Sequence, residues 1–102
     1  MSNLFKSLFG ESADLKTIYR NGAIILDVRT SEEFRTGHID GAINIPVDRV
    51  KQNIPDLQKK GKPIIACCRS GARSGMAKTV LAAAGLEVYN GGSWDALEKQ
   101  IR

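Results

Sequence analysis

A chain of 102 residues, 42% hydrophobic and 25% charged, suits one domain around one core; this excludes a disordered segment and, since no apolar run approaches the roughly 20 residues of a membrane helix, a bilayer-spanning protein. The only two cysteines, Cys67 and Cys68, are adjacent, so they cannot staple distant loops, and a secreted disulfide scaffold is excluded too. Net charge is +4, from 15 Lys+Arg against 11 Asp+Glu, yet the stretch between Asp56 and Glu87 carries Lys59, Lys60, Lys62, Arg69, Arg73 and Lys78 and no acid; that is too little for a nucleic-acid binder but concentrates a positive field around the cysteines that suits a small anion or an acidic protein surface.

In chain order, Leu4, Phe5, Leu8 and Phe9 share a helical face, while the continuous apolar stretch and cleavage site of an export signal are missing. Residues 1–11 therefore read as an N-terminal extension with the pattern of a short helix that docks on the domain, and the expected location is cytoplasmic, with free thiols. The domain itself spans residues 12–102. Leu15, Ile18 and Tyr19 mark a helix over 12–20 that Asn21-Gly22 stops. Residues 23–28 are a buried strand, after which Thr30-Ser31-Glu32-Glu33 has the spacing of a capping box and opens a helical turn closed by Gly37. Residues 42–45 alternate as a second strand up to Pro46, and Val47, Val50, Ile54 and Leu57 suggest two short helices interrupted by Pro55. A third strand at 63–67, the strongest helix at 74–84, a fourth strand at 87–89 and a last helix with Ser93 able to cap it complete the series. Strands alternating with helices predict an α/β domain, a mostly parallel sheet with helices on both faces, whose ligand site lies at the carboxyl ends of the strands.

Cys68 lies at one of those ends. The segment Cys68-Arg69-Ser70-Gly71-Ala72-Arg73-Ser74 joins a buried strand to a helix N-terminus, so its backbone N–H groups can converge into an anion nest. Helix terminus, Arg69 and Arg73 are all expected to lower the Cys68 pKa, making it the candidate nucleophile, with Arg69, Ser70, Gly71, Ala72, Arg73 and Ser74 as the substrate-binding cradle. Gly71 permits a tight, left-handed bend. Cys67 should point to the opposite face and pack in the core rather than act as a resolving thiol. His38 reads as a structural hydrogen-bonding residue, Asp27 and Arg29 as the pair that ties down the first turn, and Trp94 as core. No residue set with metal-ligand spacing and no cofactor motif is found.

Asp27-Val28-Arg29, Glu33-Phe34, Gly37-His38-Ile39, Gly41-Ala42-Ile43-Asn44-Ile45-Pro46, the Cys68–Ser74 loop and Gly91-Gly92 ahead of Trp94 stand in an order that resembles the rhodanese family, in particular its small single-domain sulfurtransferases. The resemblance covers residue 12 or so to the C-terminus. It implies that Cys68 takes a sulfane sulfur from a small anionic donor such as thiosulfate, holds it as a persulfide and passes it to cyanide, a thiol or a protein acceptor; no metal or cofactor takes part, and a monomer suffices. Arg73 matches the family's loop-closing arginine. Cys67 departs from the pattern, since many relatives carry an aromatic residue or His there, and it leaves open a second thiol that could attack the persulfide.

Two other readings remain. Cys-dependent phosphatases and arsenate reductases resemble Cys-x5-Arg, whereas four residues separate Cys68 from Arg73 here; the shorter loop leaves room for one added sulfur atom but little for a tetrahedral phosphoryl group. Rhodanese-like modules that only bind typically lack the loop cysteine, which this chain keeps together with both arginines.

Overall fold

Two runs of branched apolar residues, each entered through a turn, make the central strands: β1 over Ile24–Asp27 and β3 over Ile64–Cys68. The computed structural model describes residues 14–102; the extension expected over residues 1–11 lies outside them. β1 and β3 pair in parallel with Leu26 beside Ala66, and β2 (Ile43–Asn44) and β4 (Val88–Ser93) add in parallel at the two edges, giving the order β2-β1-β3-β4. Every residue of β3 is buried, as a strand covered on both faces requires.

The covering helices fall on both faces, as the alternation of elements predicts. Leu26, Ile64, Ala66 and Cys68 point to one side, where they meet Leu57 of α3 (Ile54–Lys60) and Ala77 and Leu81 of α4 (Ala72–Ala83). Ile25, Ile65 and Cys67 point to the other, against Leu15 of α1 (Leu15–Arg20) and Leu97 and Ile101 of α5 (Trp94–Ile101). The remaining helix, α2 (Ser31–Thr36), opens with the expected capping box, Thr30 and Glu33 exchanging hydrogen bonds, and ends at Gly37. No helix among the described residues is long and apolar enough to cross a membrane.

Three boundaries differ from the sequence reading. Pro55 does not interrupt a helix but helps begin one: two 3-10 turns (Val47–Arg49 and Lys51–Asn53) lead into α3, where Pro55 occupies the first turn and its missing N–H would have had no helical partner anyway. α4 starts at Ala72, two residues earlier than expected, because Gly71 adopts a left-handed φ of 100° and turns the chain directly into the helix. β4 extends to Ser93 instead of stopping at residue 89, its pairing with β3 shifting register between Ala66 and Cys68.

That extension depends on Gly91. A Cβ there would lie 2.9 Å from both Ile65 Cγ2 and Leu97 Cδ2 and 3.1 Å from the Ala66 carbonyl oxygen. Gly91→Ala must push the strand off the sheet or α5 off the strand and is expected to cost about 1–3 kcal/mol, the usual penalty of overpacking. It should lower the urea midpoint at unchanged slope; an unaltered midpoint would mean that β4 does not approach so closely.

Candidate active site

At the carboxyl end of β3 the chain leaves the sheet at Cys68, crosses Arg69 and Ser70, bends left-handed at Gly71 and enters α4. The bend folds the backbone back over the side chain it has just passed, so the Gly71 N–H donates to Cys68 Sγ at 3.0 Å. Ser74, in the first turn of α4 and wholly buried, places its Oγ 3.5 Å from the sulfur. Because α4 begins early, the Ser74 N–H belongs to the group of first-turn donors that no helical carbonyl accepts.

Burial by itself pushes the Cys68 thiol up. Against it act hydrogen bonds from the loop and the start of α4, those of the N–H groups of Ser74, Gly71 and Ser70 among them, and the thiol is held below its ordinary value. Its neighbour behaves in the opposite way. Cys67 is buried among Ile65, Leu97 and Ile101 on the far face of the sheet, and burial first, then the negative charge of Asp27, raises its pKa to about 12. Both thiols are free. Strand pleat, not sequence distance, separates them.

The arginines differ from expectation. Arg73 commits its guanidinium to a two-pronged pair with Glu33 of α2, Nη1 to Oε1 at 2.7 Å and Nη2 to Oε2 at 3.0 Å. This pair holds the Glu33 carboxyl down to about 2, helped by the N–H of Thr30, so it persists above the ordinary carboxylate range and is lost only as the pH falls toward 2. Arg69 is exposed and makes neither an ion pair nor a side-chain hydrogen bond among the described residues. Neither guanidinium hydrogen-bonds to Cys68; the loop's own donors act on the thiol. Of the expected cradle, Cys68, Ser70, Gly71 and Ser74 converge, while Ala72 faces outward.

Behind the loop stands a buried ion pair. Arg29 reaches Asp27 through Nε at 3.0 Å and Nη2 at 2.7 Å, with Asp27 fully buried and Arg29 3% exposed. The guanidinium also donates to the Gly37 carbonyl at 2.7 Å and lies 4.8 Å from the centre of the Trp94 ring. Asn44 bridges the carbonyls of Asp27 and Arg29. The pair ties down the turn after β1, as expected, and Trp94 is more than core, since it forms the surface against which Arg29 rests. His38 Nδ1 lies 2.7 Å from the Phe34 carbonyl, which can only accept, so this nitrogen carries the proton and the ring stacks on Phe34. His38 is thus engaged in structure.

Two residues went unnoticed in the sequence. Glu33 reads there as half of a capping box and as part of the Glu33-Phe34 motif, with nothing to say that its carboxylate also holds Arg73. Asn90 has no helical or strand periodicity to mark it, yet it grips the loop: Nδ2 donates to the Gly71 carbonyl at 3.1 Å and Oδ1 accepts from Ser74 Oγ at 2.6 Å and from the Gly92 N–H at 3.0 Å. An Asn two residues ahead of a glycine was the one available hint, being the sequence form of an Asx turn.

A parallel α/β sheet with a cysteine under a short loop at a helix N-terminus is matched by a family profile: that of the Rhodanese-like domain covers residues 11–99. The chain belongs to the rhodanese-like domain family. It is 40% identical over 83 residues to thiosulfate sulfurtransferase 18 of Arabidopsis thaliana, covering 69% of this chain and 61% of that one. Thiosulfate sulfurtransferase PspE of Escherichia coli is 38% identical over 61 residues, 59% of each chain. Among solved structures, the human single-domain sulfurtransferase TSTD1 superposes with a TM-score of 0.65 at 28% identity, over 84% of this chain and 91% of that one. The chain spans between 56% and 61% of the length of the two curated relatives above and of a further one that it matches.

Proposed function

We propose that this rhodanese-like domain is a sulfurtransferase with Cys68 as the sulfur carrier. Its thiolate attacks the sulfane sulfur of thiosulfate, or of a persulfide donor; the new S–S bond forms as the old one breaks, and sulfite, or the donor thiolate, leaves with the electron pair. An acceptor thiolate or cyanide then attacks the outer sulfur and Cys68 leaves as thiolate. No proton donor is needed, in keeping with a loop that contains no histidine. The observation that carries this reading is the set of N–H groups closed around Cys68 by a four-residue loop, a space suited to a sulfur atom. The names of the Arabidopsis and Escherichia coli relatives point the same way. Arg69, exposed and without an ion-pair partner among the described residues, is assigned to the donor's negative charge, and a reducing, cytoplasmic thiol pool is the acceptor environment the chemistry fits.

Intact mass spectrometry after thiosulfate treatment tests this: the chain should gain the mass of one sulfur atom, lost again on adding cyanide. Arg69→Ala should raise KM for thiosulfate roughly 10-fold or more, as expected for one charge-assisted hydrogen bond. Hydrolysis of an aryl phosphate without any sulfur adduct would favour the phosphatase reading instead.

A further inference from the structure

Asn90 occupies β4 opposite Ala66 and is exposed, yet two of its three side-chain bonds reach the Cys68–Ser74 loop, the third staying within β4 at Gly92. Their partners settle which way the amide points. The Gly71 carbonyl can only accept and the Gly92 N–H can only donate, so Nδ2 faces the loop and Oδ1 faces Gly92 and Ser74. An amide oxygen cannot donate. The Ser74 hydroxyl must therefore be the donor in its 2.6 Å contact with Asn90.

Ser74 has one hydrogen. Given to Asn90 across 2.6 Å, it is not available to Cys68 across 3.5 Å. We infer that Asn90 is a positioning residue for Cys68, holding the loop through the Gly71 carbonyl and claiming the Ser74 hydrogen, so that Ser74 presents a lone pair and not a proton to the sulfur. The resting contact then runs from the Cys68 S–H to Ser74 Oγ, and from the Ser74 O–H to Asn90 Oδ1. Such an arrangement reserves the sulfur's donors for the backbone: the Gly71 N–H at 3.0 Å remains pointed at Sγ whatever its protonation. The hydroxyl becomes a thiolate donor only when Asn90 lets go. This rests on Cys68 being the reacting thiol, but it concerns the resting protein and needs no sulfur donor.

The test is the pH dependence of iodoacetamide alkylation at Cys68, with the modified residue located by fragmentation, in the native chain, Ser74→Ala, Asn90→Leu and the double variant. None of these changes a charge. The charged and titratable groups of the region, Arg73 with Glu33, Arg69, the Asp27–Arg29 pair and, across the sheet, Cys67, are the same in all four. With Asn90 present, Ser74→Ala is expected to leave the alkylation midpoint within about 0.3 pH units, because the hydrogen removed was not on the sulfur. With Asn90→Leu, the hydroxyl turns to the thiolate, and adding Ser74→Ala should then raise the midpoint by about one pH unit, the effect of one hydrogen bond to a charged group. A rise of about one unit on Ser74→Ala in the native chain overturns the assignment, and so does an equal effect of Ser74→Ala in both backgrounds. Loosening of the loop by the leucine shifts both members of its pair together and leaves their difference intact. Should Asn90→Leu not fold, Asn90→Ala replaces it, and the native-background comparison stands alone. Sulfur transfer enters nowhere, so an inactive protein with this titration pattern would contradict the proposed function and leave the role of Asn90 standing.

Discussion

Cys68→Ser is expected to abolish the thiosulfate-derived adduct and sulfur transfer altogether, while Cys67→Ala leaves most of both. The difference between neighbours follows from geometry. Only Cys68 stands beneath the Gly71 N–H and at the start of a helix, with its thiol held below the ordinary range; Cys67 faces the other side of the sheet, its pKa near 12, so at neutral pH its thiolate fraction is negligible. Serine keeps the size and the hydrogen bonds of the site but supplies neither an accessible anion nor a soft nucleophile. Intact mass and a cyanide-coupled assay read the outcome. An adduct that survived Cys68→Ser, or vanished with Cys67→Ala, would transfer the carrier role to Cys67.

Arg29→Met is expected to be the most damaging change away from the sulfur. Removing one partner of a buried ion pair leaves the other charge without compensation, at a cost of about 3–5 kcal/mol. Asp27, fully buried, would keep only the Arg29 backbone N–H, 3.0 Å from Oδ1. For a domain of this size each kcal/mol corresponds to about 4–8 °C, so the melting temperature should fall by roughly 12–40 °C. Against a typical total of about 5–15 kcal/mol, that removes a large share of the stability. The double variant Asp27→Asn with Arg29→Met should recover part of the loss, because no bare charge remains. Calorimetry or thermal circular dichroism decides it: equal destabilisation by the single and double variants would show that the contact of Arg29 with Trp94 and its bond to the Gly37 carbonyl, not the ion pair, dominate.

How far the sequence carries depends on the range of each interaction. Branched apolar runs mark β1 and β3, and the capping box marks α2, because these signals lie within a few residues of the elements they make. The parallel architecture, the position of Cys68 at a strand end and the opposite orientation of Cys67 follow from the same local periodicities. The left-handed bend at Gly71 was legible, but not that the helix begins at the next residue, where the bend packs close to Gly92. The sequence singles out Arg73 as the arginine that closes the loop, but not the partner it closes on, Glu33, 40 residues away. Asn90 likewise acts on a loop 16 to 19 residues away. Long-range polar partners of this kind leave no periodic trace.

Adjacent cysteines pointing to opposite faces of β3 also bear on the fate of a loaded sulfur. Were both side chains on one face, a persulfide at Cys68 could discharge into its neighbour, closing a strained ring and expelling sulfide. Here the sheet acts as an insulator. Its backbone separates Cys68 from the thiol closest to it in the chain, and the raised pKa of Cys67 keeps that thiol protonated besides. If Cys68 carries sulfur as proposed, a sulfur loaded there meets no thiol of this chain on its own face of β3, and its lifetime is set by the arrival of an outside acceptor.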